Sequence, residues 1–210
     1  MLRNFFILLI LSLPGTTWCQ SLDTSYNNQV KLSVLRYINI LNPAIEISYE
    51  RLHGKRFSSQ LSLGSTAGLY RNIYTDLKGY SLGFEEKYFF RSYSKDRKYF
   101  SLDFNYTNIN YKDITTGKDT TTNTNIIDSF TIRRKTKAVA LKYGVQVYRK
   151  HFVLDMSIGA GVKYKNVKHY DRSFEYKGPR EFSDLFRAAN VEMKRFVFIM
   201  PVTLTLGYRF

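Results

Sequence analysis

Residues 196–210 read FVFIMPVTLTLGYRF, and this stretch decides the fold. From Phe196 to Phe210 every second residue is apolar, while Thr, Gly and Arg fall between the later ones. Successive side chains of a strand point to opposite faces, so the segment is a strand with one wholly apolar face. Pro201 lies on the other face and removes one ladder N–H, which predicts a bulge or a kink.

Seven earlier segments show the same alternation, and none of the intervening sequence has the period of an amphipathic helix. Past residue 28 no apolar run reaches the 18 residues that a membrane-spanning helix needs. Glu86 has the parity of the apolar face, which predicts either a position at headgroup level or a bulge beside Glu85. The predicted strands before the last one are 30–34, 45–50, 60–69, 80–91, 100–107, 139–147 and 152–164.

The connections between these strands alternate in length. Tight turns are expected at 53–56, 92–97 and 149–151, whereas the connections at 39–43, 71–77, 112–136 and 166–194 lie at the opposite end. Short turns at one end and longer loops at the other are typical of outer-membrane barrels. The sequence therefore predicts an all-β protein, an eight-stranded antiparallel up-and-down transmembrane β-barrel over residues 29–210, in the outer membrane of a Gram-negative bacterium.

Both ends of the sequence carry features that are typical of targeting signals. Residues 1–19 combine Arg3, a short apolar run and a Pro-Gly break, which predicts a secretory signal peptide cleaved between Cys19 and Gln20. Residues 20–28 would then form an N-terminal periplasmic segment. The alternative is a lipoprotein acylated on Cys19, although bulky Trp18 does not suit such a site. At the other end, Phe210 resembles the aromatic C-terminus that the barrel-insertion machinery reads.

The mirror-image fold is a secreted, soluble, lipocalin-like ligand carrier, whose apolar face would line an inner cavity. Three features favour the membrane barrel instead. The polar face is rich in Gly and Ser, which suits a narrow packed interior. Aromatic residues concentrate near strand ends, as in the girdles of membrane barrels. The asymmetry of the loops and the terminal Phe have no counterpart in a lipocalin.

Residues 39–50, NILNPAIEISYE, and residues 83–88, GFEEKY, carry a family resemblance. Both segments resemble small outer-membrane barrel proteins of Bacteroidota grouped as domain of unknown function 3575. The resemblance covers most of residues 28–210. It implies a barrel and its location, and it implies no catalytic activity.

By parity the polar face carries five acids and five bases, which should pair because an unpaired buried charge is costly. Lys31 is one of the bases. An eight-stranded interior is just wide enough to be filled by side chains, so we expect a plugged polar core rather than a conducting or proton-relaying lumen. The other predicted members are Glu46, Glu50, Glu85, Lys87, Arg91, Asp103, Lys142, Asp155 and Lys163.

Some eight-stranded barrels are enzymes that modify lipid A. Such a reaction needs a Ser hydroxyl or a water molecule that is activated by a His. Of the three His residues, His53 and His151 lie at the tight-turn end, and His169 is predicted in the last long loop near Ser173 and Glu175. A lone loop His with such neighbours is ordinarily solvated, so we predict no catalytic residue. We also predict no cofactor and no metal site, since the sequence has no Gly-rich phosphate motif and no cluster with metal-ligand spacing.

The chain has 32 Lys and Arg against 17 Asp and Glu, a formal charge of +15. An exported address and the lack of a nucleic-acid motif argue against a nucleic-acid partner. Basic residues instead cluster where strands meet the long loops, at the level of lipopolysaccharide phosphates. Solvated loop bases are an equally weighted interpretation, and the loops are expected to meet an unknown extracellular partner. The predicted phosphate contacts are Arg133, Arg134, Lys135, Lys137, Lys165, Lys168 and Arg195.

Overall fold

The computed structural model describes residues 27–35, 44–66, 75–90, 96–118, 125–171 and 192–210. The predicted leader, with its cleavage site at Cys19 and Gln20, lies outside these residues, as do Arg91, Ser173 and Glu175. Within the described ranges, no helix is long and apolar enough to cross a membrane.

The described residues form nine strand segments joined by antiparallel pairing. The segments are β1 (Asn28–Ser33), β2 (Ile45–His53), β3 (Phe57–Ser65), β4 (Thr75–Phe89), β5 (Asp96–Lys118), β6 (Asn125–Arg149), β7 (Phe152–Tyr170), β8 (Met193–Ile199) and β9 (Val202–Arg209).

These nine segments make an eight-stranded closed barrel. Each strand from β1 to β7 pairs with its neighbour in sequence. The segments β8 and β9 pair with successive parts of β7 and therefore form the two halves of one strand. Pairing of β9 with β1, through Val30 opposite Tyr208 and Leu32 opposite Leu206, closes the ring. The predicted eight-stranded antiparallel barrel is confirmed.

Pro201 interrupts the last strand without a bulge. Ile158 pairs with Val202 and Gly161 with Ile199, so equal numbers of residues separate these pairs on the two strands. The Gly159 amide still donates to the Pro201 carbonyl oxygen at 2.9 Å. The missing proline N–H explains the break, and because no residue is inserted, the structure excludes the bulge from the two predicted outcomes, a bulge or a kink.

Glu86 does not mark a bulge either. It pairs with Ser59 on β3 and with Leu102 on β5, and the register is unbroken on both sides. The shift in β4 lies instead between Thr75 and Lys78. Asp76 has φ 55° there, a left-handed backbone that Asp tolerates better than most residues.

Strands β5 and β6 extend far into the region predicted as a loop at 112–136. They pair up to Lys118 and from Asn125 onward, and β7 likewise continues to Tyr170. In this extension the apolar residues change to the inward face, where Ile109, Ile132 and their neighbours form a core. The outward apolar pattern thus ends before the strands do, and the loop assignment is wrong for residues 112–118 and 125–136.

Two of the predicted tight turns lie within the described residues. The β2–β3 turn occupies 54–56, and Gly54 supplies the left-handed backbone it needs, with φ 69°. The β6–β7 turn is formed by Lys150 and His151. The predicted turn at 92–97 lies mostly outside the described residues. These turns share one end of the barrel, called the short-turn end below, and the opposite end is the long-loop end.

Candidate functional site

The outer surface of the barrel carries a broad apolar band, which Glu86 and its hydrogen-bond donor Ser59 interrupt on β4 and β3. Large aliphatic and aromatic side chains on every strand project outward, and Leu63, Leu141 and Phe196 are 66%, 68% and 75% exposed. On β7 the outward residues from Phe152 to Val162 are all apolar, over about 11 residues, which is the length of a tilted strand that crosses a bilayer.

Aromatic rings border this band at both ends. At the short-turn end Phe57 packs against Tyr88 and Phe90 against Phe100, with ring centroids 5.2 and 5.0 Å apart. At the long-loop end Tyr164 contacts Phe196 with centroids 5.2 Å apart. Beyond Tyr164 the outward residues of β7 become polar at Asn166 and charged at Lys168. The rings thus mark where the apolar surface stops.

Inside the band, four charged side chains meet in a closed square. Lys31 Nζ contacts Glu50 Oε2 and lies 2.6 Å from Asp155 Oδ2. Lys87 Nζ lies 3.0 Å from the same Glu50 oxygen and 2.7 Å from the same Asp155 oxygen. All four side chains are at least 95% buried, and two positive charges balance two negative ones.

Neutral polar groups complete the hydrogen bonds of this square. Gln146 Nε2 donates to Glu50 Oε2 and to Asp155 Oδ2, each at 2.9 Å. Tyr99 OH donates to Asp155 Oδ1 and Ser58 Oγ to Glu50 Oε1, both at 2.6 Å. Gln60 Oε1 accepts from Lys87 Nζ at 2.9 Å. We call these eight residues the central network: Lys31, Glu50, Ser58, Gln60, Lys87, Tyr99, Gln146 and Asp155.

The central network draws on seven of the eight barrel strands, and glycines make room for it. Lys31 passes over Gly207 on the eighth strand, where a Cβ would lie 2.7 Å from Lys31 Cγ. Similarly, the ring of Tyr99 crosses Gly144, where any Cβ would collide with the ring. The small residues of the polar face thus let long side chains reach the barrel axis.

The other predicted interior residues lie farther toward the long-loop end. Lys142 Nζ is 2.9 Å from Glu85 Oε1 and 3.5 Å from Asp103 Oδ2, while Ser101 Oγ donates to the same Glu85 oxygen at 2.6 Å. Glu46 is buried and accepts from Ser81 Oγ at 3.4 Å. Lys163 is partly buried on the inward face of β7. Arg91 lies outside the described residues.

Apolar and aromatic groups close the interior at its two ends. At the short-turn end, the Arg97 guanidinium lies 3.8 Å from the centroid of the buried Phe89 ring, and Arg209 lies over Tyr148. At the long-loop end a buried cluster fills the strand extension. Its members are Leu77, Ile109, Tyr111, Phe130, Ile132 and Val167, with Met193 packed against it. The interior is therefore a layered core of aromatic, ionic and apolar groups.

The predicted phosphate contacts divide between the two faces of the barrel wall. Arg133, Lys135, Lys137 and Lys168 are exposed on the outward face. Arg134 and Lys165 are inward-facing and buried, so their side chains do not reach the outer surface. Arg195 pairs with Lys165 in register and is exposed.

Lys165 lies beyond the apolar band among other cations. Burial, followed by the positive charges of Arg134, Lys163 and Arg195, lowers the pKa of Lys165 to about 8. By contrast, Lys112 is exposed at the same end and pairs with Asp76 at 2.9 Å, which raises the pKa of Lys112 above its usual value.

The histidines do not form a catalytic constellation among the described residues. His169 belongs to β7 rather than to a loop, and its ring lies 5.0 Å from the Phe130 ring. His151 stacks on Tyr208 with centroids 5.3 Å apart. His53 Nε2 lies 2.9 Å from Ser59 Oγ, but Ser59 donates its proton to Glu86 Oε1 at 2.6 Å, which leaves no proton for His53 to accept.

No group of three or more His, Cys, Asp or Glu side chains in the described ranges could hold a metal ion. The sequence-based prediction names only charged interior residues and therefore misses the neutral members Ser58, Gln60, Tyr99 and Gln146. Their inward parity, opposite to that of neighbours such as Phe100, was the available signal.

No family model matches the chain, and no curated protein matches it. The resemblance to domain of unknown function 3575 therefore stays a prediction. Among solved structures, the chain is similar to the crystal structure of a major outer membrane protein from Thermus thermophilus, at 11% sequence identity and a TM-score of 0.42. The match covers 89% of this chain and 100% of that one.

Proposed function

We propose that the chain is an integral outer-membrane barrel with a plugged interior and a structural or surface-interaction role. One observation carries the proposal: the apolar groups face outward in a band as tall as a bilayer, while the charged groups face inward. Burying that band in lipid is favourable, whereas exposure to water would leave a very large apolar surface hydrated at a high cost in free energy. A closed barrel also satisfies every strand edge, as lipid requires.

The soluble, lipocalin-like alternative needs an apolar cavity inside the barrel. At mid-height the described interior holds instead the central network, and Leu63 and Leu141 project away from it. The inside-out distribution of polarity therefore favours the membrane barrel. The same network supports a filled interior, because its side chains meet at the barrel axis in a hydrogen-bonded arrangement.

In this proposal the short-turn end faces the periplasm, and the long-loop end faces the outside and meets an unidentified partner. The C-terminal residue lies at the seam of the barrel: the Phe210 amide donates to the Asn28 carbonyl oxygen at 2.9 Å, and the Phe210 side chain is 52% exposed. An exposed terminal ring beside the closing strand pair is suited to recognition by the barrel-insertion machinery.

The membrane assignment is tested by one charged substitution at mid-band. Leu141→Arg places a cation on the lipid face and should lower the free energy of unfolding from liposomes by about 2–4 kcal/mol. Leu141→Ala should cost much less, because lipid refills the space. Ser129→Arg, on the outward face of the same strand but beyond the band, is the matched control and should have little effect. Equal costs for Leu141→Arg and Ser129→Arg, or failure of the wild type to insert into liposomes, would overturn the proposal.

A further inference from the structure

We propose that the outward face of β6, β7 and β8 at the long-loop end binds a phosphorylated, acylated glycolipid of the outer leaflet, the chemistry of lipid A. The inference rests on the proposed membrane location. It concerns two adjoining surfaces, an apolar groove and a basic patch directly above it.

The groove lies between the three strands at the upper edge of the apolar band. Val139, Val162, Tyr164 and Phe196 line an open groove of about 390 Å³, and Lys137 lines its long-loop end. Cross-strand pairing fixes this arrangement, because Val139 is opposite Val162 and Tyr164 is opposite both Lys137 and Phe196. Such a groove holds an acyl chain with a cation at the level of its headgroup.

The basic patch consists of Arg133, Lys135, Lys137, Lys168 and Lys194, all exposed on the outward face. Arg133 lies directly opposite Lys168, and Asn166 separates Lys135 from Lys194 in the next row. From strand spacing and rise, these rows cover roughly 10 Å by 14 Å. The described outward positions of β6 from 129 to 139, of β7 from 160 to 170 and of β8 carry no carboxylate; the exposed carboxylates nearest in sequence are Asp171, directly after β7, and Glu192, directly before β8.

This clustering is unfavourable for the barrel alone. Like charges directly opposite each other on neighbouring strands destabilise a sheet. Anionic groups bound from outside would remove that repulsion and form charge-assisted hydrogen bonds. One cation is already oriented: Arg133 Nε donates to Asn110 Oδ1 at 3.2 Å, and its guanidinium lies 5.1 Å from the Tyr170 ring centroid.

The combination selects the class of ligand. A free anion would bind the basic patch without contacting the groove, and a neutral lipid would bind the groove without contacting the basic patch. Tyr170 offers a hydroxyl and Asn110 the amide NH2 beside the cations, and such groups suit the hydroxyls of a sugar; the Asn110 Oδ1 already accepts from Arg133 Nε. A lipid with phosphates on a sugar headgroup and several acyl chains uses all three features.

The test measures binding of diphosphorylated lipid A to the full mature chain in detergent, with dephosphorylated lipid A and phosphatidylglycerol as comparison probes. We expect the diphosphorylated form to bind best. Replacing Arg133, Lys135 and Lys168 together with Gln should weaken its binding at least tenfold. The matched control replaces three short-turn cations, Lys55, Arg56 and Lys150, with Gln, which removes the same charge and should leave binding unchanged.

Insertion of every variant into phosphatidylcholine liposomes is measured first, which separates the two proposals. A wild type that does not insert overturns the membrane assignment itself. Two outcomes would overturn the glycolipid site while the membrane assignment stands. The wild type could insert but bind all three probes with equal affinity, or the control variant could lose as much affinity as the patch variant.

Discussion

Lys31 Nζ lies 2.6 Å from Asp155 Oδ2, although the two residues are 124 positions apart and their strands, β1 and β7, are separated by β9. The contact passes over Gly207, the residue of β9 that lies opposite Lys31. A side-chain bond therefore spans the strand that closes the barrel. The seam is held by its own backbone ladder and also by the central network behind it.

Removing one charge of the square should be costly. Asp155→Asn leaves two buried lysines facing one carboxylate, and breaking such a pair costs about 3–5 kcal/mol because an uncompensated charge stays buried. We expect that loss in the free energy of unfolding from liposomes. The outcome is checked against Asp76→Asn, which breaks the exposed pair with Lys112 and should change stability little.

An equal, small effect of Asp155→Asn and Asp76→Asn would show that the interior is hydrated enough to screen the central network. Replacing Lys87 and Asp155 together with Met and Leu should cost much less than Asp155→Asn alone. The double change removes one base and one acid, so that the remaining pair of Lys31 and Glu50 stays balanced.

Gly144 and Tyr99 should behave as a coupled pair. A Cβ at position 144 collides with the Tyr99 ring, whose hydroxyl donates to Asp155. Gly144→Ala should therefore destabilise the barrel by about 1–3 kcal/mol through overpacking. In the background of Tyr99→Leu the same change should cost clearly less, since the ring is gone. Additive effects of the two substitutions on the free energy of unfolding would contradict this packing relationship.

Alternation alone was enough to predict the barrel, because the side-chain period of two is set by the backbone and the outward residues are mostly apolar, with Glu86 and Ser59 as exceptions. It also put Glu50, Lys87 and Asp155 on one face. It could not predict that these three side chains contact Lys31. Such contacts depend on the relative heights of strands that are not adjacent in the sheet, and alternation carries no information about those heights. It also failed beyond Tyr164, where water replaces the apolar surroundings and the apolar residues, such as Ile109, move inside.

The pKa of Lys165 predicts a pH effect on stability. Its folded value of about 8 lies below the ordinary lysine value of 10.5, so between these values the unfolded chain binds more protons than the barrel. Stability then rises with pH across this window, and the penalty is fully present below pH 8. We expect the stability of the wild type relative to Lys165→Met to increase from pH 7 to pH 10 in denaturant titrations.

The exposed neighbour Lys168 provides the comparison for that experiment. Lys168→Met should show a smaller change in relative stability over the same pH range, because its side chain is in water. If the stability of the wild type relative to Lys165→Met stays level or falls as the pH rises, the burial of Lys165 among cations is contradicted.

The proposed filled interior predicts the electrical behaviour of the protein. The central network joins side chains from seven strands, and aromatic and apolar layers lie at both ends, so we expect no continuous water path of porin width. In planar bilayers the wild type should therefore show no steady conductance of porin size. A large, stable channel in the wild type would contradict the proposal of a plugged interior.

Opening the central network should change that behaviour in a controlled way. Replacing Glu50 and Lys87 together with Ala removes one acid and one base from the square and keeps the pair of Lys31 and Asp155 neutral. This double variant should pass small, flickering currents through the enlarged space. The matched control replaces the exposed pair of Asp76 and Lys112 with Ala, and it should stay as silent as the wild type. Currents in the control variant alone would show that the barrier to ion flow lies at the long-loop end and not at the central network.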